Sequence, residues 1–135
     1  MAIPRRIPVR FEDVFPHGAF VLGVDAVNDF EKAKAGVIEQ ERDKGTGELL
    51  WVVRVMDADP NARAGSAEVK VKIAAPVQPV PPEPLAGTAL RPVEFDGLTV
   101  APWIIQREGF EPRQGLALRA RGMRPVGTGG RRAAA

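Results

Sequence analysis

Proline constrains this chain more than any other residue. Thirteen of its 135 residues are Pro, spread from end to end, and each fixes φ, removes a backbone donor and breaks a helix interior. Long helices are thereby excluded, and strands have to be short. Crowding is greatest from Pro76 to Pro92, where six of seventeen residues are Pro, too closely spaced for an interior strand. That stretch is expected to be an extended crossover rather than a sheet member. It could also dock in a partner's aromatic groove, but its mid-domain position favours a structural connection.

Strand signals fill the remaining space. Glu68–Ile73 alternates, with Val69, Val71 and Ile73 on one face and Glu68, Lys70 and Lys72 on the other. Leu49–Met56 is apolar on both faces except for Arg54, which predicts a central strand. Before it come a candidate strand at Val37–Glu41 and a hairpin loop at Arg42–Glu48, whose glycines can supply positive φ. Further strands are expected at Phe20–Val27, Leu98–Ile105 and Leu116–Arg121, the last with Leu116, Leu118 and Ala120 on one face and Arg119 and Arg121 on the other. Helix signals are weak: a capped turn or two at Asp59–Gly65, and a short helix within Asn28–Ala35.

Five or six short strands predict an all-β fold, a small OB-like barrel, because closure removes sheet edges with so few strands. The expected single domain is residues 1–124, with a core around Trp51, Val53, Val55, Val69, Val71 and Ile73. Residues 125–135, rich in Gly, Ala and Arg, are expected to form a disordered basic tail.

Composition removes most chemistry. With no Cys, disulfide scaffolds, Cys-based zinc sites, iron–sulfur clusters and thiol catalysis are all excluded. The longest apolar run is Leu49–Val53, far short of a membrane span or signal-peptide core, so a soluble cytoplasmic protein without a membrane partner is expected. Lys44-Gly45-Thr46-Gly47 has the wrong order for a phosphate-cradling loop. Ser66 and His17 are the sole Ser and His, and Ser66 lacks a nucleophile-elbow glycine pattern. Asp57 and Asp59 could share a divalent ion, but a strand end followed by a cap explains both. The chain is therefore expected to be no enzyme, with no metal, cofactor or small-molecule substrate.

Charge points to a binding surface. The net charge is only +2, yet residues 11–60 hold eleven acids against five bases, while residues 101–135 hold seven Arg and two Glu. Such asymmetry suits nucleic-acid contact, internal pairing or an acidic partner. The candidate nucleic-acid-binding residues are Lys70, Lys72, Arg119 and Arg121, joined by Arg54 if its strand lies beside theirs. Trp51, Trp103 and Phe20 are either stacking aromatics or core, and core is the favoured place for Trp51.

Several blocks carry a family resemblance: Arg6-Ile-Pro-Val-Arg10-Phe-Glu-Asp-Val-Phe-Pro-His17-Gly-Ala-Phe20, Arg42-Asp-Lys-Gly-Thr-Gly-Glu48 and Leu50-Trp51-Val-Val-Arg-Val-Met-Asp57-Ala-Asp59-Pro60. To these add Val69-Lys-Val-Lys-Ile-Ala-Ala-Pro-Val-Gln-Pro-Val-Pro-Pro82, Arg91-Pro-Val-Glu-Phe-Asp-Gly-Leu-Thr-Val100 and Leu118-Arg-Ala-Arg-Gly122-Met. Together they resemble the plasmid replication, integration and excision activators (Pra-like proteins) of actinomycete integrative and conjugative elements. Where this chain has Phe20 and Trp103 the family pattern commonly has Tyr, and where it has Arg121 the pattern has Thr. The resemblance implies an accessory that switches on the element's replication, excision and integration functions. It also implies a distant likeness to small β-barrel accessories that assist a helicase on single-stranded DNA. It carries no assigned contact residue with it. Three mechanisms stay open: single-strand binding, duplex-binding transcriptional activation, and a protein adaptor holding an element-encoded replication initiator or helicase.

Overall fold

The computed structural model describes residues 4–62 and 67–127. Ser66, the end of the expected Asp59–Gly65 helix and the tail beyond Gly127 lie outside the described residues. The fold is all-β. Its strands are β1 (Ile7–Pro8), β2 (Ala19–Ala26), β3 (Leu50–Asp57), β4 (Glu68–Ala74), β5 (Pro92–Asp96), β6 (Thr99–Ile105), β7 (Arg113–Ala120) and β8 (Gly122–Arg124), with two short helices, α1 (Phe11–Val14) and α2 (Phe30–Lys34). They form one curled, half-barrel sheet in the order β1-β6-β7-β4-β3-β2-β5-β8.

The curl follows from connectivity and register. β5 and β6 lie near opposite ends of that order, yet only Gly97 and Leu98 separate them in sequence. The three steps from Asp96 to Thr99 span at most ~11 Å, so the sheet has to roll until β5 and β6 approach. The register runs through the bend unbroken: Asp96 pairs with Gly122, and Thr99, three residues on, pairs with Arg119, three residues back. Arg121 N–H bonds Asp96 C=O across the corner at 2.8 Å. β5–β6 and β7–β8 are thus the two legs of one long hairpin, folded over at Gly97. Gly97 has φ +62°, a conformation that L side chains avoid. One end of the bent hairpin joins β2 through β5, and the other joins β4 through a parallel β4–β7 pair.

This bend accounts for eight strands where the sequence predicts five or six, since each leg is divided in two. The other addition is β1, whose two residues pair with Val100 and Thr99 and are too few to leave a periodic signal. Val37–Glu41 is not a strand. It contributes only the bridge Asn28↔Gln40, with Arg42↔Leu49 just beyond it, because Glu41 is wedged between two strand ends, its N–H on Val27 C=O and its C=O on Leu50 N–H. The short helix expected within Asn28–Ala35 is α2, capped by the Asp29 carboxylate on Lys32 N–H. Residues 75–91 contain neither helix nor strand. Arg91 fastens this segment by donating to Pro82 C=O at 2.8 Å.

Alternation places Val53, Val55, Val71 and Ile73 in the core as expected, with Val21, Val93, Phe95, Leu98, Leu118 and Ala120. Burying each large side chain contributes roughly 1.5–3 kcal/mol. Val69 is packed against this cluster and only partly buried. Trp51 stands at the rim, half-buried and outside the cluster, its indole N–H donating to Ala75 C=O at 3.0 Å. The aromatic part of the core is Phe15 and Phe95 rather than Trp51: Phe15 stacks on Phe11 at 5.3 Å and leans on Phe95 at 6.3 Å. Glu94, 3 % exposed, is held by Arg124 at 3.0 Å. Among the described residues no helix is long and apolar enough to cross a membrane.

Candidate nucleic-acid interface

The outer face of β3, β4, β7 and β6 is built by the same alternation that fills the core. With Val71 and Ile73 turned inward, Lys70 and Lys72 turn out. Register then stacks like charges across the sheet: Arg54 stands opposite Lys70, and Lys72 opposite Arg119. Such pairs repel, and the fold relieves the repulsion at the two arginines. Arg54 Nε bonds Asp25 at 2.8 Å, and Arg119 bonds Asp43 at 2.7 Å. Among the described residues Lys70 and Lys72 are in no ion pair.

Both lysines line a groove of ≈ 1010 Å³, together with Arg6, Trp103 and Arg119. Three of the five residues expected to bind nucleic acid therefore come together. Arg54 lies beside them in register, but its guanidinium rests on Gly23, where an added methyl would come within 2.4 Å. Arg121 sits at the hairpin bend, over Gly97, and lines an adjoining hollow of ≈ 220 Å³ with Arg6, Asp43 and Arg119. Sequence reading missed Arg6. The only signal was the acid-free run of residues 1–10, which did not single it out.

Asp43 organises this end of the groove. One carboxylate oxygen accepts from Arg119, and the other accepts from the Thr46 N–H at 2.9 Å and the Gly45 N–H at 3.2 Å. These bonds, the Arg119 one foremost, hold its pKa down to about 2. Partial burial, and then the neighbouring Arg119 charge, lower the pKa of Arg6, while Asp43 pulls the other way. Loop 42–48 thus carries an acid onto a basic face, pinned in place by the turn it caps.

Trp103, on β6, pairs with Gly115 on β7. A methyl on Gly115 would lie 2.5 Å from Cζ2 of the indole, so the ring lies across bare backbone. Around and beyond it the β6–β7 ribbon leaves Ile104, Phe110 and Leu116 exposed. Leu116 is on the same side as Leu118 and Ala120 but past the end of the core, so of the face expected for all three Leu118 and Ala120 are buried and Leu116 is exposed.

Other candidates resolve into turn chemistry. His17 Nε2 is 3.9 Å from the Asp59 carboxylate, and both side chains are partly open to water. Asp57 and Asp59 accept backbone N–H groups two residues on, from Asp59 and Asn61. Among the described residues no group of three His, Asp or Glu is placed to hold a metal. Phe20 is half-buried opposite Met56, and Trp51 is half-buried opposite Ala26; neither lines the lysine groove. No protein-family model matches this chain, and neither does any curated protein or solved structure.

Proposed function

We propose that this protein is an accessory activator of replication, integration and excision of a mobile genetic element, acting in the cytoplasm by weak binding of single-stranded DNA along the β3–β4–β7 face. The mobile-element role rests on the family resemblance. The observation that carries the binding mode is Lys70 and Lys72, two cations in no ion pair among the described residues, in a groove that also holds Trp103. Single-strand binders combine such a basic groove with aromatics.

The OB-like form of the barrel belongs to the same proposal. Counting each leg of the bent hairpin as one strand and setting aside the two-residue β1 gives five: β2, β3, β4, β5–β6 and β7–β8. Their neighbour order is β2, β3, β4, β7–β8, β5–β6 and back to β2, with one parallel pair between β4 and β7. In OB-folds the second and third strands and the loop between the last two form the oligonucleotide face. The matching positions here are β3, β4 and the β6–β7 hairpin, with residues 75–91 as the crossover. Arg54, Arg119 and Arg121 extend the positive face, weakened where carboxylates hold them.

The second reading is a protein adaptor for an initiator or helicase, favoured by the exposed Ile104, Phe110 and Leu116. The variant Lys70→Gln/Lys72→Gln separates the two. Both side chains are on the outer face, so the variant should melt like the parent, bind single-stranded DNA more weakly and support less excision in cells carrying the element. Full excision by the folded variant would transfer the role to the hairpin.

A further inference from the structure

We infer that Trp103 is a stacking platform for one unpaired nucleobase, held in position by Gly115, and that it makes the groove selective for single strands over duplex. This rests on the proposed DNA-binding function and names the subsite within it.

Trp103 is 40 % exposed and presents a large aromatic surface on the outer face of the sheet. Its surroundings explain how the ring is kept there. The neighbouring outward pair is Ala101 and Ala117, and the partner of Trp103 itself is Gly115, so a shelf of small residues leaves room for a planar ligand. Gly115 does more than leave space. Since a methyl there would overlap Cζ2, Cε2 and Cη2 of the indole at 2.5, 2.8 and 3.2 Å, the absence of a side chain lets the ring lie on the strand. The φ of Gly115 is not in the left-handed region, so its requirement for glycine is this contact alone. Glu68, Lys70 and Lys72 line the same groove from β4, two strand spacings or ~10 Å from β6, and the two lysines are within reach of a backbone whose base lies on the indole. Trp51 and Phe20 do not compete, because neither lines the groove. A base inside a duplex has both faces covered by its neighbours, so an aromatic shelf of this kind engages only an unpaired one.

The test uses the whole protein, a short oligothymidylate, an abasic strand of equal length and a duplex of equal length. Trp103→Ala should lower oligothymidylate affinity by about 5- to 150-fold, the value of one stacked base, without changing the salt slope. Trp103→Phe should restore most of that loss. Gly115→Ala, which displaces the ring, should fall toward Trp103→Ala while the melting temperature reports on folding. The abasic strand should bind the parent about as weakly as oligothymidylate binds Trp103→Ala. If Trp103→Ala binds like the parent while Lys70→Gln/Lys72→Gln weakens binding, the platform is overturned and the DNA-binding reading stands. Duplex binding as tight as single-strand binding also overturns the platform. No binding of any strand at low salt overturns both.

Discussion

Asp43 shows how much a single side chain can decide. Its carboxylate bonds Arg119 across 76 positions of sequence and also caps its own loop. The folded-state pKa of about 2 lies below the ordinary 3.8. A depressed carboxylate contributes stability that is complete above the ordinary value and lost as pH falls through the folded one. Asp43→Asn should therefore be less stable than the parent at neutral pH. The gap should begin to close below about pH 4 and vanish near pH 2, the ordinary and folded values respectively. Urea unfolding of both proteins across this range checks it, and a gap independent of pH would show that the charge of Asp43 contributes nothing. Nothing in the sequence marks this pairing. Arg119 reads there as a free outward base, because periodicity reports which face a residue is on and not what folds over that face. The same holds for Arg54 and Arg121, whose faces are legible and whose glycine neighbours are not. The Trp103–Gly115 contact depends on register, which no local pattern gives.

At the scale of elements, β4 is the most legible piece. Its alternation identifies Val69, Val71 and Ile73 as core and Lys70 and Lys72 as outward; Val71 and Ile73 are buried and Lys70 is exposed, while Val69 and Lys72 are half-buried. β1 and α1 are invisible in sequence, being two and four residues long, below the length at which any period repeats. The bent hairpin is the instructive case. Strands around Leu98–Ile105 and Leu116–Arg121 are recognisable from their patterns, but no strand is expected at β5 and β8, which continue the same two legs past the corner. Gly97 is the hinge of that corner. With φ +62° and a would-be methyl 2.2 Å from Arg121 Nε, Gly97→Ala should destabilise the fold by at least ~1 kcal/mol. Gly122→Ala, opposite the bend and with nothing within 4 Å, should be neutral or slightly stabilising, by up to ~1 kcal/mol. Thermal or urea melts of the two variants check the contrast. Equal effects would mean that the corner does not depend on a left-handed residue.

For the molecule as a whole, the prolines and the alternating strands made the all-β class readable, whereas the rolling of the sheet depended on contacts far apart in sequence. The rolled sheet has a consequence for function: it gathers three of the expected basic residues into one groove and supplies counter-charges to some of them. Arg119 already has a carboxylate partner, so a phosphate reaching it has to exchange with Asp43. Lys70 and Lys72 have none among the described residues, and they should hold condensed counterions in place of a fixed partner. The most direct measurement is a salt titration of single-stranded DNA binding by the parent and by Lys70→Gln/Lys72→Gln. Each phosphate contact on a single strand releases about 0.7 counterion, so losing both lysines should reduce the slope of log affinity against log salt by ~1.4. An unchanged slope in a folded variant, or no binding by the parent at low salt, would contradict DNA recognition through this groove.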